Sequence, residues 1–300
     1  MSSPESPSGA RIALALAYMM LMGALWGLQF SLAKMGMRDG IAPAAWIFTI
    51  NLCGALVLLG IAAWRGTRPS ALRGHARYAL IAGATAVTIP YVVTVTVMSR
   101  VPAGLAAVLN TLSPLMTYSI ALAVGMAAVH RLRVAGLGFG LLGALLVLGP
   151  RASLPDPAMW PWVALCLTVP LFYAVSNIYI ARQRPAGVDS LALAGAMQLG
   201  SLVLITPLAL AQGLHLPLPP AHTGDWALLF QAATGWVGSL LFFEVLRLAG
   251  PVFFSQTGFL VTLWGVFWGW LFFGETHSVY VWAAMVSIFT GLALVTRAGR

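Results

Sequence analysis

Long apolar runs, broken by short polar or Pro/Gly-rich stretches, recur along the whole chain. Reading each run between its breaks gives ten segments: 11–33, 42–64, 78–99, 102–126, 134–150, 158–181, 189–212, 226–246, 251–273 and 279–296. A helix crosses a hydrocarbon core of roughly 30 Å with about 20 apolar residues, and the segments match that length. Barrel strands alternate apolar and polar side chains over about ten residues, and this chain does not. The pattern predicts an all-α integral membrane protein of ten transmembrane helices. The run from Ile12 to Ala33 is too long for a signal-peptide core and shows no cleavage site, so it reads as a retained first helix. Residues 1–10, rich in Ser and Pro, read as a short disordered tail.

Composition agrees. Hydrophobic residues make up 60 % of the chain and charged residues 8 %, with a mean hydropathy of +0.91; a soluble domain carries about 25 % charged residues. The net charge of +9 raises the question of nucleic acid, but the basic residues are scattered over short loops. Cytoplasmic loops are enriched in Lys and Arg. With a cytoplasmic amino terminus, only Lys34, Arg38, Arg100 and Arg151 of the 16 basic residues fall outside. Both termini are therefore expected in the cytoplasm, no nucleic-acid partner is needed, and Arg65 to Arg77 lie where anionic lipid would be. The longest gaps, 65–77 and 213–225, leave no room for a soluble catalytic or nucleotide-binding domain, and no G-x-x-x-x-G-K-[ST] loop occurs. No cofactor and no metal are implied. Cys53 and Cys166 fall inside segments and read as small packing residues.

A shift of about 147 residues aligns similar features across the five-plus-five segments. The junction Arg100-Val101-Pro102-Ala103-Gly104 falls on Arg247-Leu248-Ala249-Gly250-Pro251, Lys34 on Arg182 and Gly143 on Gly291, the last two with one residue of slippage. The chain is read as a tail (1–10) and two five-helix repeats (11–150 and 151–297). An odd number of crossings per repeat makes the two inverted. Inverted repeats are a recurrent transporter architecture, with binding at the midplane seam and alternating access to it.

Ionisable residues at membrane depth are the usual functional candidates, yet the segment centres hold none. Glu244 is the carboxylate that penetrates furthest, and it reads as locally paired with Arg247 at i,i+3 or, alternatively, as a coupling group. The centres carry neutral polar and aromatic residues beside prolines instead. Trp26 and Gln29 lie in the first segment, Pro90 and Tyr91 in the third, and Asn110, Ser113 and Pro114 in the fourth. Pro170, Tyr173 and Asn177 lie in the sixth, and Gln256 and Trp264 in the ninth. A proline ring frees the carbonyl four residues earlier and kinks the helix, so Pro90, Pro114 and Pro170 are candidate hinges. Residue by residue, helix packing accounts for such groups as well as binding does, but Asn110, Asn177 and Gln256 carry amides that are costly against lipid. The spacings Gly136-x-x-x-Gly140 and Gly265-x-x-x-Gly269 suit close packing within the bundle. A site of rings, amides and hydroxyls suits a neutral or zwitterionic body better than a phosphate or a permanent cation, which call for buried opposite charge.

Ten segments in two repeats, Trp26-Gly27 followed by Phe30 and Lys34, Pro114 in the fourth segment and Gly274-Glu275 before the last resemble the drug/metabolite transporter superfamily, in particular its EamA-type ten-helix exporters. The Gly-Glu pair usual before the fifth helix of that family is Gly125-Met126-Ala127-Ala128 here, without the acid. Within the family the pattern most resembles the YddG-type exporters of aromatic amino acids. The resemblance implies a secondary transporter in a bacterial inner membrane that works as a monomer on small molecules, with aromatic amino acids as substrates. Multidrug or other metabolite export is the alternative. An intramembrane enzyme is disfavoured: no G-x-S-x-G and no Asp-rich metal motif occur, and His75, His130, His215, His222 and His277 all sit in loops or at segment ends.

Overall fold

The computed structural model describes residues 9–67, 72, 74–148, 154, 156–216, 219–254 and 257–297. Ten helical passages follow one another: α1 (Gly9–Arg38), α2 (Pro43–Trp64), α3 (Ala76–Met98), α4 (Ala103–Ala123), α5 (Arg131–Leu148), α6 (Pro157–Gln183), α7 (Ser190–Ala211), α8 (Thr223–Phe254), α9 (Thr257–Phe273) and α10 (Val279–Arg297). Among the described residues, α1 to α4, α6 and α7 are each long and apolar enough to cross a bilayer alone. The all-α, ten-helix expectation holds. The expected disordered tail 1–10 falls outside the described residues except for Gly9 and Ala10, which already belong to α1.

Three passages are interrupted, each just ahead of a proline. A π turn, Ala84–Thr88, interrupts α3 before Pro90. Passage α4 breaks between Asn110 and Ser113, before Pro114, and α6 breaks between Cys166 and Thr168, before Pro170. Each proline lacks the N–H that would bond the carbonyl four residues earlier, on Ala86, Asn110 and Cys166 respectively. One junction differs from expectation. Residues 247–250 do not form a turn like Arg100 and Val101, because α8 continues through Pro251 to Phe254. Neighbouring helices in a bundle can satisfy the backbone groups that a proline frees.

The packing obeys a pseudo-two-fold exchange of α1 with α6, α2 with α7, and so on to α5 with α10. Three pairs map onto themselves and form the seam: α2 with α7, α4 with α9, and α5 with α10. The others come in matched sets, α1 on α8 and α9 answering α6 on α3 and α4, and α3 on α7 answering α8 on α2. Passages α5 and α10 form a separate pair beside the other eight. There Ser287 donates to the Phe139 carbonyl at 2.8 Å, and a Cβ on Gly291 would meet the Gly136 carbonyl at 2.5 Å. The first glycine spacing thus serves packing inside the bundle, and the second does too: Gly265 faces Ala107 of α4.

The α3–α7 contact is the tightest backbone approach beside the seam. A Cβ on Gly83 would lie 2.6 Å from the Met197 carbonyl and 2.7 Å from the Ser201 amide, and one on Gly200 would lie closer still to the Ala79 carbonyl. Substituting Gly200 by Ala should push the helices apart at a cost of about 1–3 kcal/mol. Gly60→Ala, where nothing lies within 4 Å, should not. Thermal unfolding in detergent checks this: a lowered midpoint for Gly200→Ala alone is expected.

Candidate functional site

The seam holds a cavity of about 550 Å³. It is lined from α1 (Trp26, Gln29, Phe30, Ala33), α2 (Ile50, Gly54, Leu58), α3 (Ala86, Val87, Tyr91, Thr94, Val95), α4 (Asn110) and α6 (Val169, Tyr173). From the remaining helices come Met197 and Gln198 (α7), Gln231, Ala232, Gly235, Trp236 and Ser239 (α8), and Val261 (α9). Both repeats contribute, and α5 and α10 do not. No Asp, Glu, Lys, Arg or His is among these residues.

Local sequence explains the position of the walls. Gly27 lets α1 lie on α9, since a Cβ there would meet the Gly265 amide at 2.7 Å and the Val261 carbonyl at 2.8 Å. Its neighbour Trp26 turns the other way, its indole set against Gly238 of α8. The Tyr91 hydroxyl reaches Gln29 Oε1 at 3.4 Å. The π turn of α3 carries Thr88, which donates to Ser201 Oγ at 2.8 Å, and Asn51 Nδ2 donates to the same hydroxyl at 2.6 Å. This triad, with Asn51 and Ser201 buried and Thr88 half-buried, ties α2, α3 and α7 together beside the cavity. Three amide oxygens at the cavity wall, Asn110 Oδ1, Gln198 Oε1 and Gln231 Oε1, are buried without a hydrogen-bond partner among the described residues.

Five of the residues singled out in the sequence meet at this cavity: Trp26, Gln29, Tyr91, Asn110 and Tyr173. Others lie away from it. Asn177 is exposed and donates to Thr117 Oγ1 at 3.2 Å. Trp264 stacks on Trp268 with ring centres 5.6 Å apart. Ser113 spends its carbonyl on the Thr117 hydroxyl, and Pro114 is exposed, whereas Pro90 and Pro170 are buried. Gln256 lies outside the described residues, as does the side chain of Arg247, the expected partner of Glu244. Glu244 itself is half-buried on α8, away from the cavity-lining residues. The sequence reading passed over Gln198, Gln231 and Trp236, although the cost of an amide against lipid, the argument used for Asn110, applies equally to both glutamines.

The charges at the helix ends depart most from expectation. Lys34 and Glu275 are not separate interfacial charges: they form an ion pair with side chains only 12 % and 6 % exposed. The same carboxylate takes the first free amides of α4, accepting from Ala103 N–H at 2.8 Å and Gly104 N–H at 3.0 Å. An anion at a helix N-terminus is favoured by the unpaired amides and the helix dipole. Lys34 and Arg38 also cover the Phe273 ring at 4.7 and 4.6 Å. His277, two residues on, touches the place where a Gly104 Cβ would be, and burial, more than the nearby Lys34 charge, draws its imidazole pKa below the ordinary value.

Comparison with known proteins accords with this architecture. The profile of the EamA-like transporter family matches twice, over residues 13–149 and 160–297. The uncharacterized inner membrane transporter YedA of Escherichia coli (strain K12) is 25 % identical over 276 residues, spanning 91 % of this chain and 87 % of that protein. The YedA proteins of the E. coli O6:H1 and O157:H7 strains match to the same extent. A solved crystal structure superposes with a TM-score of 0.62 over 95 % of this chain and 99 % of its own, at 17 % identity, a likeness of fold alone.

Ser201→Ala should leave Asn51 Nδ2 and the Thr88 hydroxyl without their shared acceptor, at about 1–3 kcal/mol for a buried unsatisfied group. Chemical denaturation in detergent should show the loss, and an unchanged midpoint would contradict the triad's role.

Proposed function

The chain belongs to the EamA-like transporter family, and from that premise we propose that it exports small neutral amphipathic metabolites, aromatic amino acids foremost, by alternating access to the seam cavity. The observation that carries the substrate class is the chemistry of the wall. Trp26, Phe30, Tyr91, Tyr173 and Trp236 offer faces and edges for an aromatic body. The unpartnered oxygens of Asn110, Gln198 and Gln231 offer acceptors for an ammonium group. A buried acceptor without a partner costs about 1–3 kcal/mol, so a solute that supplies N–H donors recovers that penalty on binding. A cavity without charged side chains gives a net-charged solute no counter-ion. A volume of about 550 Å³ lies within the roughly 300–1,000 Å³ of small-molecule sites.

The proposed setting is a bacterial inner membrane with both termini in the cytoplasm. Its support is the asymmetry of basic residues and the inner-membrane name of the E. coli relatives. A single chain carries both halves of the cavity, so the proposed working unit is the monomer. With no carboxylate among the lining residues, the solute moves down its own gradient, and Glu244 is the coupling candidate if protons take part.

Proteoliposomes loaded with labelled phenylalanine test the proposal. The expected result is saturable efflux that tryptophan inhibits and that an imposed pH gradient leaves unchanged. Efflux driven by the gradient would replace the uncoupled version, and no movement of any aromatic amino acid would overturn the substrate class in favour of another metabolite. Asn110→Leu should lower efflux about tenfold, the equivalent of about 1.4 kcal/mol of lost interaction, with the unfolding midpoint unchanged. Full activity would return Asn110 to a packing role.

A further inference from the structure

The two ends of the bundle are related by the pseudo-two-fold exchange, yet they are closed by different chemistry. At one end Lys34, near the end of α1, meets Glu275 between α9 and α10, and the carboxylate holds the Ala103 and Gly104 amides that start α4. At the other end Arg182, the counterpart of Lys34 near the end of α6, meets the stretch between α4 and α5. That stretch has no acid, and Arg182 donates to the Val124 carbonyl at 2.9 Å.

The seam pair α4–α9 follows the same asymmetry. The first segment of α4, Ala103–Asn110, lies against α9. Thr262 Oγ1 reaches the Ala107 carbonyl at 3.3 Å, and Gly269 lies where a Cβ would be 3.1 Å from the Gly104 amide. The second segment, Ser113–Ala123, turns from α9 to pack on α6. The start of α9 rests on α1 instead, with Leu260 against Gly23. The pair is thus joined at the Lys34 end and parted at the Arg182 end.

We propose that Glu275 is a latch that seals the Lys34 end of the seam, by joining Lys34 to the start of α4, and so sets a resting state open toward the Arg182 end. Exchanging the two ends requires α4 to part from α9 where the carboxylate now binds it. That movement separates Glu275 from the two amides and leaves a buried charge with Lys34 alone. Nothing equivalent must break at the Arg182 end, where an exposed arginine donates to the Val124 carbonyl and, as a weak bond, to the Met126 sulfur, with no carboxylate and no helix-start amides engaged. The latch therefore makes access unequal: the Arg182 end opens freely, and the Lys34 end opens only against the capping and pairing of one carboxylate. By the distribution of basic residues the Lys34 end faces outward, so an unloaded exporter waits open to the cytoplasm, where its cargo is.

The latch rests on the transport reading only for its consequence, because the test needs no solute. In a chain whose Cys53 and Cys166 are replaced by Ala, Thr262→Cys places a thiol in the α4–α9 contact. Its alkylation by a membrane-impermeant maleimide is followed from each side of oriented vesicles. With Glu275 intact, labelling from the Lys34 side should be slow. Glu275→Ala should speed it about tenfold or more, a shift of about 1.4 kcal/mol in the closed-to-open balance. Glu275→Gln keeps an acceptor for the α4 amides without the ion pair and should fall between the two; it carries the test if the alanine variant fails to fold. Arg182→Ala should leave labelling from the Lys34 side unchanged. Labelling unaffected by the Glu275 variants would overturn the proposal, as would equal acceleration by Glu275 and Arg182 variants, which marks general loosening. Absent phenylalanine efflux with normal latch behaviour would count against the substrate reading and leave the latch standing.

Discussion

A carboxylate at the edge of a hydrocarbon layer persists only where ionic and hydrogen-bonding partners replace the water it has lost. Glu275 has three such partners, the Lys34 ammonium and two backbone amides, drawn from α1 and from the start of α4. Several features follow from that requirement. Gly104 and Gly269 are the residues that let α4, α9 and the carboxylate come so close. Lys34 and Arg38 lie over Phe273, so cationic charge that pairing does not neutralise rests on a ring face. Removing one partner of such a buried pair typically costs about 3–5 kcal/mol, enough to decide which end of the seam is closed.

The cavity depends on the opposite condition, exclusion of charge. Its wall is built where helices are broken or closely apposed: the π turn before Pro90, the break between Asn110 and Ser113, and the α1–α9 contact at Gly27. Breaks free backbone groups and change the direction of a helix, which brings Asn110 to the cavity and sends the following segment to α6. Close contacts at Gly83 and Gly200 bring α3 against α7. Glycine-packed pairs hold helices in close contact, and proline-broken passages change direction beside the cavity.

Much of this was legible in the sequence because the bilayer imposes a strong period. Apolar runs of crossing length gave ten helices and their five-plus-five grouping, and an amide-cost argument picked out Asn110. Trp26, Gln29, Tyr91 and Tyr173 were legible as polar or aromatic residues near segment centres. Asn177 satisfied the same criterion and is still not among the cavity-lining residues, because the criterion sees depth along a helix and not direction around it. The Lys34–Glu275 pair was missed for a related reason: residues 241 positions apart were each classed by distance from a segment end, and a one-dimensional reading cannot bring them together. The Gly-Glu step after an apolar helix, opposite a lone lysine at the end of another, was the available signal. The Pro251 junction failed because a proline within a membrane helix need not end it.

The central claim is that the solute passes through the cavity between the halves. Gly235 lines that cavity, and a Cβ there would meet only Gln29 Nε2, at 3.9 Å. Gly235→Phe should therefore fold normally while its ring occupies the passage. The direct measurement is solute efflux from proteoliposomes by this variant, with its unfolding midpoint determined alongside. Abolished efflux at an unchanged midpoint is the predicted result; undiminished efflux from the folded variant would contradict the account.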